Sequence, residues 1–163
     1  MRRWTLAVAL VLATGLLAQT SLAGGGGNSD VLRFKIMAGV VPPYTGPANP
    51  VRGVAGAGAP WRIDSANGKL KENGELAIDV EGLVLVTTGT NPQSAFRAVV
   101  NCQTIVAGAA AVVNRVTAPF PATPSGDATF EGQIDLPTPC FGPIVFVTTG
   151  AGDPPRWFAV TGA

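Results

Sequence analysis

Short stretches in which apolar and polar side chains alternate run through most of this chain. Leu32, Phe34 and Ile36 alternate with Arg33 and Lys35, the period of a half-buried strand, and Trp61 and Ile63 alternate with Arg62 and Asp64. Lys69 to Val80 predicts a hairpin. Asn73-Gly74 tolerates positive φ at both turn positions, as a type I′ turn requires, and Leu76, Ile78 and Val80 then alternate with Glu75, Ala77, Asp79 and Glu81. Glu81-Gly82 predicts a reversal into Leu83-Val84-Leu85-Val86, an apolar run suited to a central strand. Phe96 to Asn101 and Val112 to Val116 follow, and the Ala-rich stretch Val106 to Ala111 between them reads as an irregular connection. Ala128, Phe130, Gly132 and Ile134 alternate with Thr129, Glu131, Gln133 and Asp135. Ile144 to Val147 is again continuously apolar, and Trp157 to Thr161 ends the pattern.

Roughly 8–10 short strands, turn signals about every 8 to 12 residues and no amphipathic helix predict an all-β fold. The expected architecture is an antiparallel immunoglobulin-like β-sandwich, with a closed β-barrel as the alternative. Charges at alternate strand positions imply one sheet face open to water. Val41 to Pro60 carries five Pro and four Gly around Tyr44, which is too long for a tight turn. It is either a crossing between two sheets or a functional loop. Leu83-Val84-Leu85-Val86-Thr87-Thr88-Gly89 echoes Ile144-Val145-Phe146-Val147-Thr148-Thr149-Gly150, and we read this as two hairpins sharing turn chemistry.

The N-terminus has another character. Arg2 and Arg3 precede an uncharged run from Trp4 to Ala18, and Ser21-Leu22-Ala23 offers small residues where a signal peptidase cuts. Residues 1–23 are therefore expected to be a signal peptide, 24–30 a flexible Gly-rich linker, and 31–163 one sandwich domain. The general and twin-arginine export routes both remain open. The apolar run is short for a membrane span, so no span is expected after cleavage. The expected location is extracellular or periplasmic. Cys102 and Cys140 are the only cysteines, and in an exported chain two cysteines predict one disulfide. Closing a loop of about 38 residues would stabilise the fold by roughly 4 kcal/mol.

Composition mainly excludes. Loss of Arg2 and Arg3 leaves nine Lys and Arg against ten Asp and Glu, spread singly, which gives no electrostatic case for nucleic acid. The chain has no histidine, so Ser-His-Asp, Cys-His and ordinary catalytic zinc arrangements are out of reach. None of Ser29, Ser65, Ser94 and Ser125 lies in a Gly-x-Ser-x-Gly elbow, and Gly53, Gly56 and Gly58 open no phosphate-binding helix. No cofactor and no metal are expected. A carboxylate-only hydrolase is the one enzymatic route left, but Asp64, Glu75, Asp79, Glu81, Glu131 and Asp135 fall mostly on outward positions.

The segment from Cys140 onward, with Cys-Phe-Gly-Pro-Ile-Val-Phe-Val and Arg-Trp-Phe-Ala-Val-Thr-Gly, resembles the C-termini of uncharacterised small secreted bacterial β-sandwich proteins. The resemblance implies a shared secreted β fold and no particular activity. The leading expectation is thus a non-catalytic secreted binding or envelope-associated module. The alternative is a structural subunit that pairs with another chain through its edge strands.

Strand counting places a candidate ligand end. If strands reverse in turn from Leu83, the connections Thr87–Ser94, Pro119–Gly126 and Thr148–Pro155 share one end, joined by Asn73-Gly74, with both cysteines opposite. That end gathers Thr87, Thr88, Asn91, Gln93, Ser94, Thr148, Thr149 and Asp153 around Phe120. Neutral hydrogen-bonding groups beside an aromatic suit a neutral polar ligand such as a glycan, while another surface protein is the other expected partner. The same residue types also make good turns.

Overall fold

A computed structural model describes residues 28–161; the expected signal peptide and Gly24 to Gly27 lie outside them. The described chain is all β and antiparallel in its sheets. The strands are β1 (Asp30–Phe34), β2 (Met37–Gly39), β3 (Trp61–Arg62), β4 (Ser65–Lys71), β5 (Glu75–Glu81) and β6 (Val84–Leu85). After them come β7 (Ala95–Val106), β8 (Ala109–Val116), β9 (Phe120–Pro121), β10 (Ala128–Gln133), β11 (Phe141–Thr149) and β12 (Trp157–Thr161). They form an open sandwich rather than a closed barrel. One sheet has the order β1-β4-β5-β10, and the other has the order β2-β12-β11-β7-β8 with β9 also against β7. β3 and β6 make a small separate pair.

The alternation seen in the sequence works as expected in the four-stranded sheet. Its register sets Ala66 opposite Val80, Gly68 opposite Ile78 and Leu70 opposite Leu76, and all but Gly68 are buried. Phe34 pairs with Gly68, where a Cβ would lie only 2.4 Å from the Phe34 ring. The other face holds Ser65, Asn67, Lys69, Asp79, Glu81, Thr129 and Glu131 and is wet. In the six-stranded sheet Phe96, Ala98, Val100 and Cys102 are fully buried, and Phe158 joins Phe96 to Trp61, stacked at 4.0 Å. Cys102 and Cys140 form the expected disulfide, with Cα atoms 5.0 Å apart.

The segment from Val41 to Pro60 is a cover. It bonds along β12, where Ala55 O accepts from Trp157 N–H and Trp157 O accepts from Ala57 N–H. Arg52 lies over the outer side of the six-stranded sheet. Its carbonyl accepts from Asn101 Nδ2, and its guanidinium donates to Gly142 O at 2.6 Å. Val54 is buried, whereas Tyr44 remains 45% exposed. Trp61 and Trp157 are both core residues.

Five local expectations are revised. The turn at Asn73-Gly74 is not type I′: only Gly74 has positive φ, and its N–H donates to Lys71 O, closing a three-residue loop. The two-residue turn with positive φ at both positions is Ala107-Gly108, so Val106 to Ala111 is a tight hairpin and not an irregular connection. Ile36 is 71% exposed because the chain leaves β1 after Phe34 and crosses to the other sheet, where Met37 is buried instead. Ser29 and Asp30 are not linker, since Ser29 O accepts from Glu72 N–H and Asp30 starts β1.

The fifth revision concerns Leu83 to Val86. Gly82, at φ +66°, bends the chain without reversing it, and Leu83 N–H donates to Gly126 O. Only Val84-Leu85 then pair, so the run plugs the core as an irregular segment and shares no architecture with the nine-residue β11. Without a reversal there, β5 ends near Gly126 and the Asn73-Gly74 turn falls at the disulfide end, beside Ile134.

Ala107 occupies the left-handed region at φ +49°, which is costly for a residue with a Cβ. Ala107→Asn should therefore raise stability by about 0.5–1 kcal/mol, read as a higher denaturant midpoint at unchanged slope.

Candidate functional site

The three loops expected to share an end do meet there. Asn91 N–H donates to Pro124 O, Ala122 N–H donates to Ser94 O, and the Arg97 guanidinium donates to Thr149 O and Gly152 O. What holds them together is the polar set itself. Asn91 is 6% exposed; its Nδ2 donates to Gln93 O and Thr123 O, and its Oδ1 accepts from Gln93 N–H, each at 2.8 Å. Thr148 is fully buried, with its hydroxyl on Arg97 O. Phe120 is buried on β9 with its ring 5.2 Å from Phe130. These three side chains are committed to the fold.

Thr87, Thr88, Ser94 and Asp153 are exposed. Thr88 accepts from the Thr90 hydroxyl, and Asp153 stands 3.8 Å from Arg97. Gln93 and Thr149 are half-buried and share a pocket of about 460 Å³ with Pro47, Pro92, Arg156 and the Trp61–Phe158 pair. The nine residues therefore share an end of the molecule but not one cavity.

The carboxylates lie on the wet face or beside it. Ser65 donates to Glu81 and Thr129 to Asp79, while Lys71 pairs with Glu75 at 2.8 Å and Arg62 pairs with Asp64. Of these carboxylates Asp79, with Glu131, borders an open groove of about 390 Å³ together with Arg33 and Lys69, a mixed-charge surface and not a cleft. Among the described residues no three His, Cys, Asp or Glu side chains group as a metal site. Asp127 has a lowered pKa, chiefly because Ser125 donates to it at 2.6 Å and then because Gly82 N–H donates at 3.0 Å, with burial opposing.

The least ordinary surface is the hairpin of β7 and β8. From Ile105 to Val113 no side chain is polar, yet Ile105, Val106 and Val112 are each at least half exposed, and so is Phe141 beside them. Ile105, Val112 and Phe141 border a mostly apolar groove of about 480 Å³ with Gln103, Thr104, Ala110 and Ala111. β8 is also an open sheet edge of eight residues: among the described residues no loop pairs with its backbone, and the Arg115 side chain donates to Asp135 O at 2.7 Å. The other edges are guarded or short. β1 has a bulge and carries Arg33, β2 spans three residues, and β10 carries Glu131. Sequence reasoning passed over this surface because Ala and Gly dominate it; the signal available was a long uncharged run around a two-residue turn.

No protein-family model, curated protein or solved structure matches this chain.

Asn91→Ala should cost about 2–4 kcal/mol, because it strands the Gln93 amide and two loop carbonyls, while Ser94→Ala should stay within about 0.5 kcal/mol; chemical denaturation measures both. Since the Asp127 pKa is depressed in the folded state, its contribution to stability is complete above the ordinary Asp value. That contribution is lost as pH falls through the folded-state value. Asp127→Asn should flatten the acid limb of a melting temperature versus pH curve below about pH 4 and leave the slope near neutrality unchanged.

Proposed function

We propose that this chain is an exported, non-catalytic β-sandwich module that works by pairing its β8 edge with another protein chain. The observation that carries the reading is an eight-residue edge strand whose one charge is Arg115, flanked by exposed Ile105, Val106, Val112 and Phe141. Natural edge strands are normally blunted by charge, proline, bulges or brevity, and an edge without them serves as a template for strand addition. Export is supported by the signal-like residues 1–23 and by the Cys102–Cys140 bridge, which fits an oxidising compartment. The loop end is the weaker candidate for a binding surface, because Asn91, Phe120 and Thr148 are spent on internal contacts.

A photo-reactive residue at Val112, introduced in the producing cell, should give a covalent protein adduct. The same residue at Asp79, on the wet face of the other sheet, should give none. An adduct-free Val112 would refute the edge reading.

A further inference from the structure

The structure carries this reading one step further and rests on it: we infer that the chain entering at β8 is a second copy of this protein, paired antiparallel about a two-fold axis at Val113. Half of the β8 backbone groups are free of β7. Thr117 N–H donates to Ala98 O, and Ala98 N–H donates to the Thr117 hydroxyl, which fixes where the bonded pairs of this ladder fall. Bonded pairs alternate along an antiparallel ladder, so Ala109, Ala111, Val113 and Arg115 turn their N–H and C=O toward β7. Ala110, Val112, Asn114 and Val116 turn theirs outward.

A two-fold axis through Val113 maps this outward set onto itself. Ala110 faces Val116 of the other copy and Val112 faces Asn114, so every outward N–H and C=O of both edges is bonded. Sliding the copies by two residues breaks this in either direction. One slip sets Val116 against Gly108 in the turn, and the other sets Ala110 against Ala118, just ahead of Pro119. The side chains agree with the same register. Val113 meets its own copy, where side chains of a non-bonded pair lie closest, and Arg115 lies opposite Ala111. In-register parallel pairing would instead stack Arg115 on Arg115. The contact joins two six-stranded sheets and sets the exposed Val116 of each copy beside Ala110 of the other, with Val112 beside Asn114. Pairing along one strand is small beside the roughly 800 Å² per partner of a standard interface, so a dimer with micromolar affinity is expected.

The test uses exposed positions that the fold tolerates. Sedimentation velocity on the purified, disulfide-intact protein from about 1 to 500 μM should show a monomer–dimer equilibrium. Ala110→Lys with Val116→Lys places like charges opposite each other twice and should weaken the dimer about tenfold. Ala110→Glu with Val116→Lys should restore it, since 110 and 116 meet only in this register. Val112→Pro removes an outward N–H at an edge position that tolerates proline and should leave a folded monomer. A wild-type protein that stays monomeric throughout, or a dimer indifferent to the double lysine variant, overturns the inference. A monomeric protein whose Val112 photo-adduct contains a different chain would overturn the second copy and leave the edge reading standing. The absence of any adduct would end both.

Discussion

The six-stranded sheet has to keep both of its faces dry, and much of the remaining architecture follows from that constraint. Its inner face packs on the four-stranded sheet through Phe96, Val100, Val145 and Val147, with Phe158 stacked on Trp61. Its outer face carries Val99, Phe146 and Trp157, apolar side chains that water would penalise heavily. The Val41 to Pro60 segment meets that need by lying along β12 and over Asn101. Proline and glycine suit such a cover because it must hug a surface without completing a strand.

The cover stops where Arg52 reaches Gly142. Beyond that point the same face continues as Phe141, Gln103 and Val112, then Ile105 and Ala110, with nothing from the described chain above them. Among the described residues, the β7–β8 hairpin is thus the one stretch of this face left wet while still apolar. An open strand edge lies along the same hairpin. An apolar face and an unpaired edge in one place are what a strand-pairing partner requires, and both lie far from the loop end where polar residues concentrate.

At the loop end, chemistry suited to a ligand has gone into construction. Thr, Asn and Gln side chains mimic backbone groups, so they can close loops as readily as they can bind sugars. Asn91 illustrates the ambiguity. Its amide reaches residues on two different loops, and burial commits all three of its hydrogen bonds to the fold. Asp127 plays a similar part for Ser125, Thr123 and Gly82.

The sequence by itself determined what depends on near neighbours and on counting. Strict alternation in β4, β5 and β10 reports one wet face, two cysteines leave one pairing, and short strands without helical periodicity yield a sandwich. Only the tertiary structure decided the features set by contacts distant in the chain. Asn73-Gly74 closes a three-residue loop and Ala107-Gly108 makes the two-residue turn, because strand register and not dipeptide identity sets the loop length. Leu83 to Val86 is apolar as a central strand would be, yet Gly126 and Asp127 pull it out of the sheet into the core. Burial has the same local signature whether a strand or an irregular plug supplies it. Whether Val112 is core or free surface depends on how far a loop sixty residues earlier can reach, and no local pattern of residues records that distance.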